Sequence, residues 1–336
     1  MLMKISLLCY SFFCSVLLFY PVFASATGRI GIPATANDEP WSSPVVSSQI
    51  LNVGGASLQI DFGSGDLDLK HDEVVKWIDA AATAISHYYG EFPAHRVRIL
   101  IMPIAGERGI LAGTTWGNVH GLSAFTRMRL GQHTTKEDLT DDWTMTHEMV
   151  HIGFPSLSRD HHWLEEGLAT YVEPIARAQV GALSPEKIWG DMIRDMPKGE
   201  PTPSDHGLDQ THTWASTYWG GALFCLLADI TIREQTGNRK GLQDALRAIL
   251  AAGGTIDQEW PVTRALTVGD QATGTSVLTD LCEKMGSKSD HVELGKLWKQ
   301  LGISSDEDRI VFDNHAPLAQ IRQRITDPRP HSPVIR

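Results

Sequence analysis

The feature that most restricts how this chain can fold is "HEMVH" at 147–151, followed by "LEEGLATYVE" at 164–173. Histidines four residues apart on a helix lie on one face, one turn from each other. Both imidazoles can then reach one cation at about 2.0–2.1 Å. Glu148 is rotated by one position and need not ligate, so it is free to act as general base toward an activated water. The bland reading is a pair of histidines on an ordinary helix, because a chance H-E-x-x-H turns up in roughly a few per cent of chains this size. Three features favour a metal site: a helical setting, an export-like leader, and carboxylates on a second helical run downstream.

The third ligand is sought on that second run. The metzincin arrangement needs Gly three and His six residues after the second His, where this chain has Phe154 and Leu157. His161 and His162 fit by spacing but precede the run. Glu165 shares its helical face with Leu168, Ala169 and Val172, whereas Glu166 shares its face with Ala169, Thr170 and Glu173. A face with two carboxylates suits a site that needs a ligand and an acceptor for a ligand's N–H. Glu166 is therefore the expected ligand, with Glu165 the alternative. Two His and one carboxylate favour zinc, one ion per chain.

These residues resemble the gluzincin metallopeptidases, and within them the aminopeptidase N and leukotriene A4 hydrolase type, whose pattern is H-E-x-x-H followed by W-L-N-E-G-x-A-x-Y-x-E. The resemblance implies a zincin-like catalytic domain with His147, His151 and Glu166 as zinc ligands and Glu148 as the catalytic glutamate. It implies Glu173 as the acid supporting a ligand. Thermolysin-type members place Asp four residues after the ligand Glu, where this chain has Thr170. "YWGGALFCL" at 218–226 is similar to the helix start that sets a catalytic Tyr over the metal, which assigns Tyr218 to the oxyanion, with His212 as substitute donor. A core aromatic is the neutral alternative for Tyr218.

Two departures qualify the likeness, which covers roughly residues 140–230. Only fourteen residues (152–165) separate the second His from Glu166, shorter than in the family. No G-x-M-E-N segment precedes the pentad; the nearest stretch, "WGNVHGLSAF" at 116–125, offers His120 and no carboxylate. Exopeptidase specificity is accordingly not implied. The strand around Gly117–Ala124 is the expected edge for an extended peptide.

The remaining chain supplies context. "MLMKISLLCYSFFCSVLLFYPVFASA" has Lys4 before an apolar run and a small-residue cleavage pattern at Ala24-Ser25-Ala26, so residues 1–26 are expected to be a signal peptide. An uncleaved anchor is the alternative. The expected product is exported, periplasmic or extracellular, with no stable membrane association. Removing the leader leaves Cys225 and Cys282, and the apolar helical setting of Cys225 argues against a disulfide. With 29 Lys+Arg against 40 Asp+Glu there is no basic stripe, which argues against nucleic acid as a partner.

Residues 27–48 read as a linker or arm, 49–139 as a β-containing lobe with one helix, 140–325 as a helical zinc-site lobe, and 326–336 as a tail. Strand-like runs flank Gly54-Gly55, and further strands are expected at 96–104 and 121–130. Pro174 is expected to kink or interrupt the second helical run, 184–213 to be a long loop, and "GDQATG" at 269–274 to be a turn. The outline is α+β, a small sheet lobe followed by a mostly helical one. The function this implies is an exported zinc metallopeptidase acting on a peptide or protein. A zinc hydrolase of a non-peptide amide or epoxide, separable by a substrate panel, is one alternative. A non-catalytic exported binding protein is the other, and it has no need of Glu148.

Overall fold

The computed structural model describes residues 43–306 and 309–327. The leader expected at 1–26, residues 27–42 of the expected arm and residues 328–336 of the expected tail lie outside the described residues. Val45–Val53 (β1) and Ala56–Gly63 (β2) form an antiparallel hairpin. Its turn residues Gly54 and Gly55 have φ of 57° and 83°, left-handed at both centres as a tight hairpin turn requires. Gly54 has no space for a side chain either, since a Cβ would lie 2.1 Å from Ser86 Oγ.

His71–Tyr89 (α1) buries Val74, Ile78, Ala81, Ala82 and Ile85 at helical spacing. Gly90, at φ 95°, ends it by donating its N–H to the Ser86 carbonyl. Three strands follow: Arg96–Ile104 (β3), Ile110–Val119 (β4) and Leu122–Gly131 (β5). The sheet order is β1-β2-β3-β5-β4, with β2, β3 and β5 parallel and the edge strands β1 and β4 antiparallel to their neighbours. β4 is absent from the sequence expectations. "ILAGTTWGNV" has little alternation and two glycines, so its pairing with β5 makes it a strand rather than its own propensity.

The helical region begins with Lys136–Asp141 (α2), Thr144–Ile152 (α3), His162–Gln179 (α4), Pro185–Asp195 (α5) and Gly221–Gln235 (α6). Leu242–Ala251 (α7), Val262–Thr273 (α8), Val277–Ser287 (α9) and Leu294–Leu301 (α10) come next. A small hairpin of Ile303–Asp306 (β6) and Arg309–Phe312 (β7) precedes Ala319–Thr326 (α11). The protein is thus a mixed N-terminal sheet followed by a mostly helical region, as the patterning predicts. One buried cluster joins the sheet's inner face (Leu58, Ile60, Val97, Ile99, Met128) to α1, α3, α4 and α6.

Three local expectations are corrected. α4 runs through Pro174 without a break, its packing against α3 and α6 outweighing the lost hydrogen bond. α5 occupies the start of the expected loop, where the Ser184 hydroxyl accepts the Lys187 N–H at 3.2 Å and Pro185 opens the helix. "GDQATG" forms the last turns of α8, stopped by Gly274 at φ 73°. Cys225 and Cys282 are free and buried. Among the described residues no helix is long and apolar enough to cross a membrane.

Candidate active site

The pentad helix is anchored from outside its own span. Asp142 accepts the N–H groups of Thr144 and Met145, both at 3.0 Å, filling donors that the first turn of α3 leaves open. α3 lies against β4 on one side and α4 on the other. His147 and His151 face Glu166 of α4: His147 Nε2 is 3.1 Å and His151 Nε2 3.7 Å from the same oxygen, Oε2. The three ligand atoms all lie within 4.8 Å of one another. Ligands on a tetrahedron at about 2.0–2.1 Å from a zinc ion sit about 3.4 Å apart, so the 3.1 and 3.7 Å separations bracket the spacing such an ion needs.

The electrostatics agree with that donor set. Burial pushes the His151 pKa down, which keeps the imidazole neutral, the form that ligates. Burial works against ionising Glu166, but the His147 hydrogen bond and the neighbouring His151, His147 and His162 outweigh it and hold its carboxyl down at about 2. His147 Nδ1 is buried and has no hydrogen-bond partner. Two imidazoles and one carboxylate, converging in a largely buried site, fit a divalent cation.

Glu165 and Glu166 separate clearly. Glu165 turns to the connecting loop, accepting the Leu157 N–H at 3.1 Å and pairing with His162 Nδ1 at 3.0 Å. His161 is engaged by Asp209 at 3.0 Å, away from the cluster. His162 stands at its rim, with Nε2 3.4 Å from Glu166 Oε1.

Glu148 is buried on the β4 side. Its Oε2 accepts the Thr115 hydroxyl at 2.7 Å, and Thr115 also contacts Thr126 at 3.1 Å. Burial raises its pKa, against the pull of His151 and Thr115, so it holds a proton more readily than an exposed glutamate. Gly113 makes the approach possible, because a Cβ there would meet Glu148 Cγ at 2.7 Å. Sequence reasoning missed Thr115 and Gly113, for they carry no signal until β4 is recognised as a strand.

Tyr218 reaches the cluster from a short π-helical segment, Ser216–Gly220, that runs into α6. Its ring stacks on His147 at 6.0 Å between centroids and 12° between planes. Burial and the adjacent Glu166 carboxylate hold its hydroxyl protonated, well above the ordinary tyrosine range. The close approach of α4 and α6 rests on two glycines: a Cβ on Gly167 would lie 2.3 Å from Gly221 Cα, and one on Gly221 would lie 2.1 Å from the Trp163 carbonyl oxygen. His212 is exposed and makes no hydrogen bond or ion pair with the cluster among the described residues.

Two expectations do not match the geometry. Glu173 does not reach a ligand histidine; it lies two turns beyond Glu166 and pairs with Arg177 at 2.8 Å. The Gly117–Ala124 segment is not a free edge, since it straddles the β4–β5 turn. At Gly117 a Cβ would meet the Ile256 carbonyl oxygen at 2.3 Å, so that end of β4 is covered. Among the described residues, the earlier part of β4 is the sheet edge that no further strand pairs.

Glu173 yields a test of its own. Burial, opposed by Arg177, pushes its pKa from the ordinary 4.5 up to about 7. The folded protein therefore binds this proton more tightly than the unfolded chain, and wild-type stability falls as pH rises through that window. In Glu173→Gln the term is absent. Its stability relative to wild type should climb between pH 4.5 and about 7, by at most roughly 3 kcal/mol. Denaturant melts at pH 5, 6, 7 and 8 measure it, and a flat difference would mean that Arg177 keeps the carboxylate ionised throughout.

No family model and no curated protein matches the sequence. Among solved structures, an aminopeptidase N family protein from Idiomarina loihiensis shares the fold with a TM-score of 0.56 at 13% identity, covering 76% of this chain and 49% of that one. An M1 zinc metallopeptidase from Deinococcus radiodurans aligns with a TM-score of 0.48 at 15% identity, covering 73% of this chain and 52% of that one. The chain spans about half the length of these structures. At 13% identity the likeness to the first of these concerns the fold, and the site stands on its own geometry.

Proposed function

We propose that the protein is a zinc-dependent peptidase acting on peptides or proteins outside the cytoplasm. The observation that carries this reading is the convergence of His147, His151 and Glu166 beside a buried Glu148 that Thr115 holds in place. A zinc ion bound by the three ligands supplies Lewis-acid polarisation of a carbonyl and lowers the pKa of water to about 7. Glu148 accepts the proton of the attacking water and returns it to the leaving nitrogen, a task its raised pKa suits. Tyr218 keeps its O–H and donates to the oxygen that gains negative charge.

The open edge of β4 receives the substrate backbone by strand pairing. From Ile110 to Val119 that strand has no Asp or Glu, so a peptide's free N-terminus finds no counter-ion on it. The signal-like sequence of residues 1–26 supports a reaction in the periplasm or outside the cell. The test is metal content by mass spectrometry on protein made without residues 1–26, followed by a fluorogenic peptide library. A stoichiometric zinc, with hydrolysis that chelator stops and zinc restores, is the expected result. Protein that is metal-free as purified without chelator, or zinc-loaded protein inert on every peptide, overturns the reading.

A further inference from the structure

Two tryptophans flank the site with much of their surface in water, Trp143 at 51% and Trp214 at 61% exposed. Trp143 lies one helical turn before His147, whose N–H donates to the Trp143 carbonyl at 3.0 Å. Trp214 lies one turn before Tyr218 in the same way along the second segment. The repeated offset sets each indole against a ring of the site. Trp143 meets His147 edge-on at 5.1 Å between centroids. Trp214 lies face to face with Tyr218 at 5.6 Å and 23°. Because His147 and Tyr218 also stack on each other, four rings form one row across the mouth of the site, with the outer two open to solvent.

Single exposed apolar residues need no explanation, but two large ones continuous with a candidate reaction centre do. The neighbouring polar groups narrow what they can hold. Asp142 is engaged with the N–H groups of Thr144 and Met145, and Thr213 Oγ1 accepts the Ser216 N–H at 3.1 Å. Each already accepts backbone N–H groups of the turn it opens, so these polar groups serve first to shape the two helix starts beside the indoles. The surface complements an apolar or aromatic side chain.

Resting on the peptidase reading above, we infer that Trp143 and Trp214 grip a large apolar or aromatic side chain next to the scissile bond and make the enzyme selective for it. Binding is read by calorimetry on zinc-loaded Glu148→Gln, using peptide pairs that differ only in Phe against Ala beside the bond. Hydrolysis is read on zinc-loaded enzyme carrying Glu148, with quenched versions of the same peptides. The Phe peptide should be favoured by at least about tenfold in both readouts. Trp143→Ala and Trp214→Ala should each collapse that ratio, chiefly through KM, with zinc content and circular dichroism unaltered, while Trp→Phe at either position keeps most of it.

Peptides bound and cut without such a preference overturn the inference and leave the peptidase standing. So does a preference that survives both alanine variants. Zinc-loaded protein that neither binds nor cuts any peptide brings down both readings, and tighter binding of oligosaccharides than of Phe peptides overturns the choice of ligand.

Discussion

Glu148→Gln is expected to lower kcat by about 10²–10⁴-fold while the protein keeps its full zinc content. The amide has the shape of the carboxylate and can still accept the Thr115 hydroxyl, which now reaches Glu148 Oε2 at 2.7 Å. The space beside Gly113 is also still filled. Only the capacity to take a proton disappears, and burial has raised that capacity in the native residue. Kinetics on the best library peptide, with metal analysis on the same preparation, separate the outcomes. Zinc lost together with activity would make Glu148 part of the metal-holding structure, and an undiminished kcat would remove it from the mechanism.

Gly167→Ala should cost at least about 1–3 kcal/mol of stability and about 10²-fold in kcat. In an ordinary helix interior the same exchange stabilises by roughly 0.8–1.0 kcal/mol. Here the added Cβ would lie 2.3 Å from the Gly221 backbone. Backbone cannot rotate aside as a side chain can, so α4 and α6 must part and the clash outweighs the propensity gain. The turn bearing Tyr218 leads directly into α6 at Gly221, so its hydroxyl is displaced along with the helix. Gly295→Ala on α10 is the control, since nothing lies within 4 Å of a Cβ there. Thermal melts and kcat on both variants decide the matter. A Gly167→Ala protein that melts and turns over like wild type would show that the helices separate freely and that the glycine pair does not position Tyr218.

Local spacing carried the helix-borne part of the site. The four-residue offset places His147 and His151 on one face. The face argument that prefers Glu166 over Glu165 agrees with their different partners, the two imidazoles for one and the Leu157 N–H for the other. The same argument misled at Glu173. Sharing a face does not guarantee a shared partner, and Arg177 one turn further on takes that carboxylate. It also could not register β4, whose glycines and threonines become a strand only against β5.

By itself the sequence determined what repeats within a few residues: the helices, their buried stripes, the glycine hairpin, and a histidine pair beside two glutamates. Those follow from backbone geometry and need no distant contact. The tertiary structure alone decided which groups from separate segments meet. Thr115 lies 33 residues before the glutamate it holds, and Gly113, the Gly167–Gly221 contact and the row from Trp143 to Trp214 likewise join distant stretches. Such pairings arise from how whole elements pack, and packing has no local period for a sequence to display.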